Sequence, residues 1–231
     1  MKLRLKYTKL GKIRWISHRD VARALERALR VAQVPLAFTE GFTPRPRVSF
    51  GLALATGHES EAEYLDLVLA GEYALDALPR ALSDALPDGI HVVGAAPLVD
   101  RAPALQEAVT SVEWQVDVLP VPDLDAAIAA GLDQPALETT RRRKGREVLE
   151  DVRPVVCSIV VKDGASVHME LHTQPRSAKP GEVLTAIGQS IGVELIETRA
   201  IRTNQWIERD GARHEPLDAD TRPRVPEARA S

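Results

Sequence analysis

The feature that most constrains the fold is an order of hydrophobic periodicities that occurs twice along the 231 residues. In the first pass, residues 2–8 alternate between basic and apolar side chains, which is the period-two pattern of a strand with one face on a core. The patterns that follow predict a helix, two strands, a helix and a strand, at 17–34, 47–51, 63–69, 74–86 and 90–95. This β-α-β-β-α-β order is typical of the ferredoxin-like unit.

The same order of predicted strands and helices occurs a second time, after a connector at 98–111 that contains Pro and Ala. The strands and helices of this second pass are predicted at 112–119, 124–132, 154–161, 166–172, 180–192 and 195–207. The charged residues 137–153 form an insertion within it. We therefore predict an α+β fold of two tandem ferredoxin-like (βαββαβ) domains, at 1–97 and 112–207. Residues 208–231 have no apolar periodicity, and we predict a disordered tail there.

The composition excludes several kinds of site. A single cysteine, Cys157, cannot form an internal disulfide, an iron–sulfur cluster or a thiolate zinc site. Its apolar neighbours predict a buried strand, in which a free thiol acts as a small apolar side chain. No segment approaches eighteen uncharged apolar residues, and the basic N-terminus lacks the apolar region of a signal peptide. We therefore expect a soluble, cytoplasmic protein that contacts no membrane.

The first fifty residues carry a strong positive charge in an acidic protein. They contain 12 Lys and Arg side chains and three Asp and Glu side chains, which gives a net charge of +9. Because the whole chain has a net charge of −3, the remaining 181 residues carry −12. A local positive field attracts polyanions even when the whole molecule is acidic. This segment is therefore predicted to face a polyanion.

The basic side chains of this segment fall into three groups. The first strand turns Lys2, Arg4 and Lys6 to the face opposite its apolar side chains. The first helix carries one arginine stripe, formed by Arg19, Arg23, Arg27 and Arg30. The third group lies on the loop 40–46, which is stiffened by two prolines, and just after it. This loop is predicted to display Phe42, Arg45 and Arg47.

Together these groups predict an RNA-binding face, because several cations can engage phosphates and aromatic rings such as Trp15 and Phe42 can stack on unpaired bases. The predicted RNA-binding residues are Lys6, Arg14, His18, Arg19, Arg23, Arg27, Phe42, Arg45 and Arg47. The alternative interpretation of the stripe is an ordinary solvated helix face.

Histidines and a second basic run give further hypotheses. His18, at the first turn of the arginine-bearing helix, is either structural or the acid–base group of a metal-independent endoribonuclease. His168 and His172 are predicted about 13 Å apart on one strand, too far to share a metal. The run 141–146 is flanked by acidic residues and is interpreted as a solvated loop. We predict no metal site and no cofactor bound by this chain.

Several motifs of the first seventy residues resemble one protein family. They are Trp15-Ile16-Ser17-His18-Arg19-Asp20, the helical segment 23–30, Gly41-Phe42-Thr43-Pro44-Arg45-Pro46, Ser49-Phe50-Gly51 and Glu59-Ser60-Glu61-Ala62-Glu63-Tyr64-Leu65-Asp66. In this order they are similar to the motifs of DUF2344, a family of uncharacterised proteins linked to radical SAM enzymes. The likeness is dense over residues 1–70 and loose beyond.

The resemblance implies a partnership with a radical SAM protein, either as a fused region or as a separate chain. Because the chain starts at Met1 and contains no Cys-x-x-x-Cys-x-x-Cys, we expect the separate form, with the iron–sulfur cluster and S-adenosylmethionine on the partner. The preferred hypothesis is a non-catalytic accessory module that binds RNA, such as tRNA or rRNA, for this partner. The alternatives are the endoribonuclease, similar in fold to Cas6-type proteins, and an adaptor whose basic face binds the radical SAM protein.

Overall fold

One mixed sheet of nine strands organises the residues that the computed structural model describes, which are 1–99, 101–143 and 145–219. Helices pack on this sheet, so the predicted α+β fold class is confirmed. The first half contains β1 (Lys2–Lys9), a 3₁₀ helix (Gly11–Trp15), α1 (His18–Val31), β2 (Val48–Phe50), β3 (Glu59–Val68), α2 (Leu78–Ala85) and β4 (Val92–Pro97).

The second half begins with a short helix in the connector and ends with a small hairpin strand. Its elements are α3 (Leu105–Ala108), β5 (Ser111–Val118), α4 (Leu124–Leu132), β6 (Glu138–Arg143), β7 (Arg146–Asp151), a 3₁₀ helix (Arg153–Val155), β8 (Val156–Val161), β9 (Ser166–His172), α5 (Pro180–Ile191), β10 (Glu197–Arg209) and β11 (Ala212–His214). Among the described residues, no helix is long and apolar enough to span a membrane.

Each half places its four main strands in the same order. In the first half the antiparallel order is β4-β1-β3-β2, and in the second it is β10-β5-β9-β8. The two halves share one sheet because β3 and β10 pair in parallel, with Ile201 opposite Glu59 and Arg202 opposite Ser60. This parallel pairing is short, so side chains must add to the connection between the halves.

Two hydrophobic cores follow from this arrangement. The first lies between β1, β3 and β4 on one side and α1 and α2 on the other, and α1 contributes Val21, Leu25, Ala28 and Leu29. The second lies between the strands of the second half and helices α4 and α5, which pack on each other. Aliphatic side chains dominate both cores, as the low aromatic content of the sequence requires.

Charged side chains are buried at the seam, the junction of β3 and β10. Glu63 accepts a hydrogen bond of 2.8 Å from Arg202 Nη1, and both side chains are almost inaccessible to solvent. The guanidinium of Arg202 also lies 4.9 Å from the centre of the Trp114 ring. Beside them, His58 Nε2 lies 2.9 Å from Glu197 Oε1. Both of these polar contacts join the first half to the second.

Glu59 is a second carboxylate of the first half at this seam. Its buried carboxylate accepts hydrogen bonds of 2.5 Å from the Gly11 backbone N–H and from Arg199 Nε, and Arg14 Nη1 lies 3.8 Å away. Burial alone raises the pKa of Glu59, but the hydrogen bonds from Arg199 and Gly11 and the charges of Arg199 and Arg14 outweigh burial. The pKa of Glu59 therefore lies below its usual value of 4.5.

The basic face of β1 is closed rather than open. Arg4 is fully buried and binds Asp66 with two hydrogen bonds, of 2.7 and 2.9 Å, while its Nη1 donates to the carbonyl oxygen of Pro216 at 3.1 Å. Lys6 Nζ forms an ion pair with Glu215 at 3.0 Å. The pattern of residues 2–8 correctly places Arg4 and Lys6 on one face, but the segment 215–219 covers that face.

The prediction of a disordered tail from residue 208 onward is wrong for the residues described. Strand β10 continues to Arg209, and β11 pairs with it through a turn at Asp210-Gly211, where both residues have positive φ. Leu217 then packs so close to Gly94 that a Cβ at this glycine would lie 2.6 Å from the leucine side chain. Residues 220–231 lie outside the described residues.

Two smaller predictions are also corrected. The insertion is a hairpin of β6 and β7, with Arg142 opposite Glu147 in the strand register, instead of a solvated loop. Lys144 and the side chains of Arg142 and Arg143 lie outside the described residues. Cys157 is exposed, because its strand β8 lies at the end of the sheet order and has one covered face. Partial burial of the thiol and the charge of Glu170 raise the pKa of Cys157 to about 11.

We predict that Arg202→Met lowers the free energy of unfolding by about 3–5 kcal/mol, because it leaves the Glu63 carboxylate buried without its partner. The double variant R202M/E63Q is expected to recover part of this loss, since no unpaired buried charge remains. Urea denaturation measures both. The matched control is Arg80→Met, which removes an exposed arginine that pairs with Asp84 on α2. Equal midpoints for R202M and R80M would contradict the prediction.

The lowered pKa of Glu59 predicts the sign of a pH dependence. A carboxyl group with a lower pKa in the folded state adds stability above its unfolded pKa, and this stability is lost as the pH falls through the folded pKa. Thermal unfolding temperatures should therefore fall as the pH drops below the usual Glu value of 4.5, and should fall less in Glu59→Gln. An identical loss in both proteins would show that Glu59 does not contribute to acid sensitivity.

Candidate nucleic-acid interface

The first turn of α1 is fixed by Ser17 and Asp20. The Ser17 hydroxyl accepts a hydrogen bond of 3.2 Å from the Asp20 N–H and donates one of 2.7 Å to Asp20 Oδ2. The bond from Ser17, and then the charge of Arg23, hold the pKa of Asp20 below its usual value. Ser17 is therefore the N-cap of α1, and it fixes where the helix begins and so which of its side chains turn to solvent.

The four arginines of the arginine stripe lie on that solvent face. All four are exposed, and Arg23 forms an ion pair of 3.3 Å with Asp20. Within the part of the chain that the structure describes, Arg19, Arg27 and Arg30 have no carboxylate partner. From Arg19 to Arg30 the stripe spans about 16 Å, from the helical rise of 1.5 Å per residue. It is therefore a row of cations whose charge is largely unneutralised by neighbouring side chains.

The loop that precedes β2 is a narrow hairpin. Its ends are held by hydrogen bonds from the Thr39 N–H to the Arg45 carbonyl, at 2.9 Å, and from the Arg47 N–H to the Ala37 carbonyl, at 2.8 Å. Phe42 at its tip is completely exposed. Arg45 and Arg47 are exposed as well, and neither has a carboxylate partner among the described residues. The hairpin thus displays all three side chains, while their contact with RNA stays a prediction.

His18 and the hairpin belong to different ends of α1. The His18 ring meets the Phe50 ring edge to face, with centroids 5.3 Å apart, so it lies at the helix N-terminus beside the last residue of β2. The hairpin instead follows the C-terminus of α1, where Leu36 pairs with Leu69. The arginine stripe runs along the exposed face of α1 between these two ends.

Arg14 and Trp15 extend this surface toward the seam. The Arg14 guanidinium lies 5.2 Å from the centre of the Trp15 ring, and 65% of the Trp15 surface is exposed. Trp15 rests on Gly57, where a Cβ would approach the ring to 3.2 Å and where φ is +92°. The Gly57 N–H also donates to the Arg14 carbonyl at 2.8 Å. A glycine at this position allows the loop before β3 to support the indole.

The remaining predicted residues do not join the surface. Lys6 is held by Glu215 under the C-terminal segment, as described above. His168 and His172 are both exposed on β9, in the other half of the sheet. Within residues 1–99, 101–143 and 145–219, no group of three or more His, Cys, Asp or Glu side chains could hold a metal ion.

The polar residues of the seam did not stand out in the sequence. Arg199, Arg202 and His58 were not selected, although Glu59 and Glu63 bind the two arginines. One signal was available, because Glu59, Glu63 and Asp66 interrupt an otherwise buried strand, and buried charges require partners. The identity of those partners could not be read from a strand in the other half.

Comparison with solved structures finds a chain of a Cbf5-Nop10-Gar1 complex at a TM-score of 0.50 and 10% identity, covering 88% of this chain and 48% of that one. A chain of the archaeal box H/ACA sRNP Nop10-Cbf5 complex matches at 0.46 and 12%, covering 87% and 46%. A chain of an H/ACA RNP bound to a substrate RNA containing 2′-deoxyuridine matches at 0.44 and 13%, covering 93% and 49%. The present chain thus spans about half the length of each. The match to the chain of the Cbf5-Nop10-Gar1 complex shows a similar fold and nothing about function.

A search of curated proteins finds no match. The family profile of DUF2344, described as an uncharacterized protein conserved in bacteria, matches residues 2–180. The matched range includes all the motifs that suggested the resemblance. This chain belongs to the DUF2344 family.

Proposed function

We propose that this chain is a non-catalytic accessory module that binds RNA through the arginine stripe and assists a radical SAM enzyme in the cytoplasm. The observation that carries the proposal is the row of exposed arginines on α1, three of which have no carboxylate partner among the described residues. We further interpret the two halves, 1–97 and 112–207, as tandem ferredoxin-like domains, because both have the strand order of that unit.

Exposed arginines without acidic neighbours are suited to phosphate groups. A guanidinium donates two parallel hydrogen bonds to a phosphate, and binding releases the counterions condensed on the nucleic acid. The stripe and the hairpin arginines supply six such groups: Arg19, Arg23, Arg27, Arg30, Arg45 and Arg47. Six phosphate contacts are enough to make affinity fall steeply with salt.

The radical SAM partner enters the proposal through the family resemblance. One cysteine cannot hold an iron–sulfur cluster, so the cluster and S-adenosylmethionine are assigned to the partner. In this account the module presents tRNA or rRNA, and the partner modifies it. The rest of the chain, with a net charge of −12 outside the first fifty residues, offers acidic surface for a basic region of that partner.

The triple variant Arg19→Ala, Arg23→Ala, Arg27→Ala is expected to weaken binding to bulk tRNA. Each lost phosphate contact lowers the slope of log affinity against log salt by about 0.7–0.9, so three should lower it by about 2–3. Fluorescence anisotropy at several salt concentrations measures both quantities. The matched control, R80A/R101A/K162A, removes three exposed cations elsewhere and should change the slope little.

A folded triple variant with the affinity and slope of the wild type would remove the stripe from the account. Cleavage of the RNA in EDTA that disappears in His18→Ala would replace the proposal with the endoribonuclease. A radical SAM protein that co-purifies from nuclease-treated lysate, with no RNA affinity of the pure chain, would replace it with the adaptor.

A further inference from the structure

We propose that Trp15, Arg14 and Arg199 form a subsite for one unpaired nucleotide of the bound RNA, with the base on the indole and the phosphate between the two guanidinium groups. This inference rests on the proposed function and adds the class of RNA, which must contain a single-stranded nucleotide. It also brings the second half of the chain into binding, because Arg199 is on β10.

The two guanidinium groups converge on one carboxylate. Arg199 Nε lies 2.5 Å and Arg14 Nη1 lies 3.8 Å from the same oxygen, Oε2 of Glu59. Glu59 is buried and is fixed on its other oxygen by the Gly11 N–H, so it is a rigid anchor. The arginines come from different halves of the chain, and this shared anchor holds them side by side.

Both guanidinium groups keep donors for a ligand. Arg199 uses Nε on Glu59, and no described residue accepts a hydrogen bond from its Nη1 or Nη2. The Arg199 side chain is 45% exposed and the Arg14 side chain is 32% exposed. The hydrogen bond and charge of Glu59, and then the charge of Asp117 opposite in the β5–β10 pairing, raise the pKa of Arg199, but Asp117 forms no ion pair with it. A phosphate can therefore receive hydrogen bonds from both groups.

The indole is positioned to receive a base beside this phosphate site. It is 65% exposed, it lies 5.2 Å from the Arg14 guanidinium, and its position is fixed by Gly57 beneath it. Aromatic side chains bind single-stranded nucleic acid by stacking, whatever the base, because every base has a π face. Bases in a duplex are already stacked and paired, so this subsite discriminates for unpaired nucleotides.

Tryptophan fluorescence tests the subsite directly. The chain has three tryptophans, of which Trp114 is buried and Trp206 is half-buried, so Trp15 is the most exposed of them. A short single-stranded oligoadenylate should quench the fluorescence of the wild type, and the quench should be absent in Trp15→Phe. Trp15→Ala and Arg199→Lys should weaken oligoadenylate binding roughly 5- to 100-fold, the range for loss of one base stack or one bidentate contact.

A blunt RNA duplex is the matched ligand, and Arg80→Lys is the matched variant. Duplex affinity should change less than twofold in W15A and R199K, whereas the triple stripe variant should lose duplex and single-strand binding together. R199K retains a cation for Glu59, and circular dichroism verifies that each variant is folded.

The outcomes separate the two proposals. If wild type, W15A and R199K bind the single strand equally, the subsite is overturned while RNA binding by the stripe stands. If no RNA binds at low salt, the proposed function fails and the subsite in RNA fails with it. If adenosine monophosphate quenches Trp15 but neither RNA binds, the assignment to RNA is overturned in favour of a free nucleotide.

Discussion

The buried ion pairs at the seam are the interaction on which the rest of the structure depends. Glu59 and Glu63 belong to the first half, and Arg199 and Arg202 belong to the second. The backbone alone joins the halves through a short parallel pairing of β3 and β10. A carboxylate buried without a partner is so costly that neither β3 nor β10 can take another register without large loss. The charges therefore specify the junction as well as stabilise it.

The basic residues of the first fifty positions fall into two groups, one buried inside the protein and one exposed to solvent. Arg4 and Lys9 are engaged inside the protein: Arg4 binds Asp66, and Lys9 Nζ donates to the Arg14 carbonyl at 3.0 Å. Burial lowers the pKa of Lys9. The arginine stripe, in contrast, is open to solvent. A net charge counted along the sequence adds both groups, so it overstates the field available to a polyanion.

Hydrophobic periodicity predicted most elements, because α1, α4, α5 and the strands of both cores are amphipathic or apolar. It failed where structure depends on distant partners. In the hairpin of β6 and β7, every residue of β6 is polar and β7 has mostly exposed side chains, so neither strand shows an apolar period. All three residues of β11 are exposed, and this strand is held by backbone pairing with β10. At the candidate site, the stripe followed from helical spacing, but Arg199 could not be placed near Trp15 without the fold of both halves.

The segment 215–219 has a consequence for the order in which the protein can be completed during synthesis. Arg4 Nη1 donates a hydrogen bond to the carbonyl oxygen of Pro216, which lies 212 positions later in the chain. Until that segment leaves the ribosome, the guanidinium of Arg4 and the ammonium of Lys6 face water on an uncovered sheet surface. Contacts this distant in sequence form late, because a long loop must close before they contribute. The basic face of β1 is therefore translated early but is among the last surfaces of the protein to be covered.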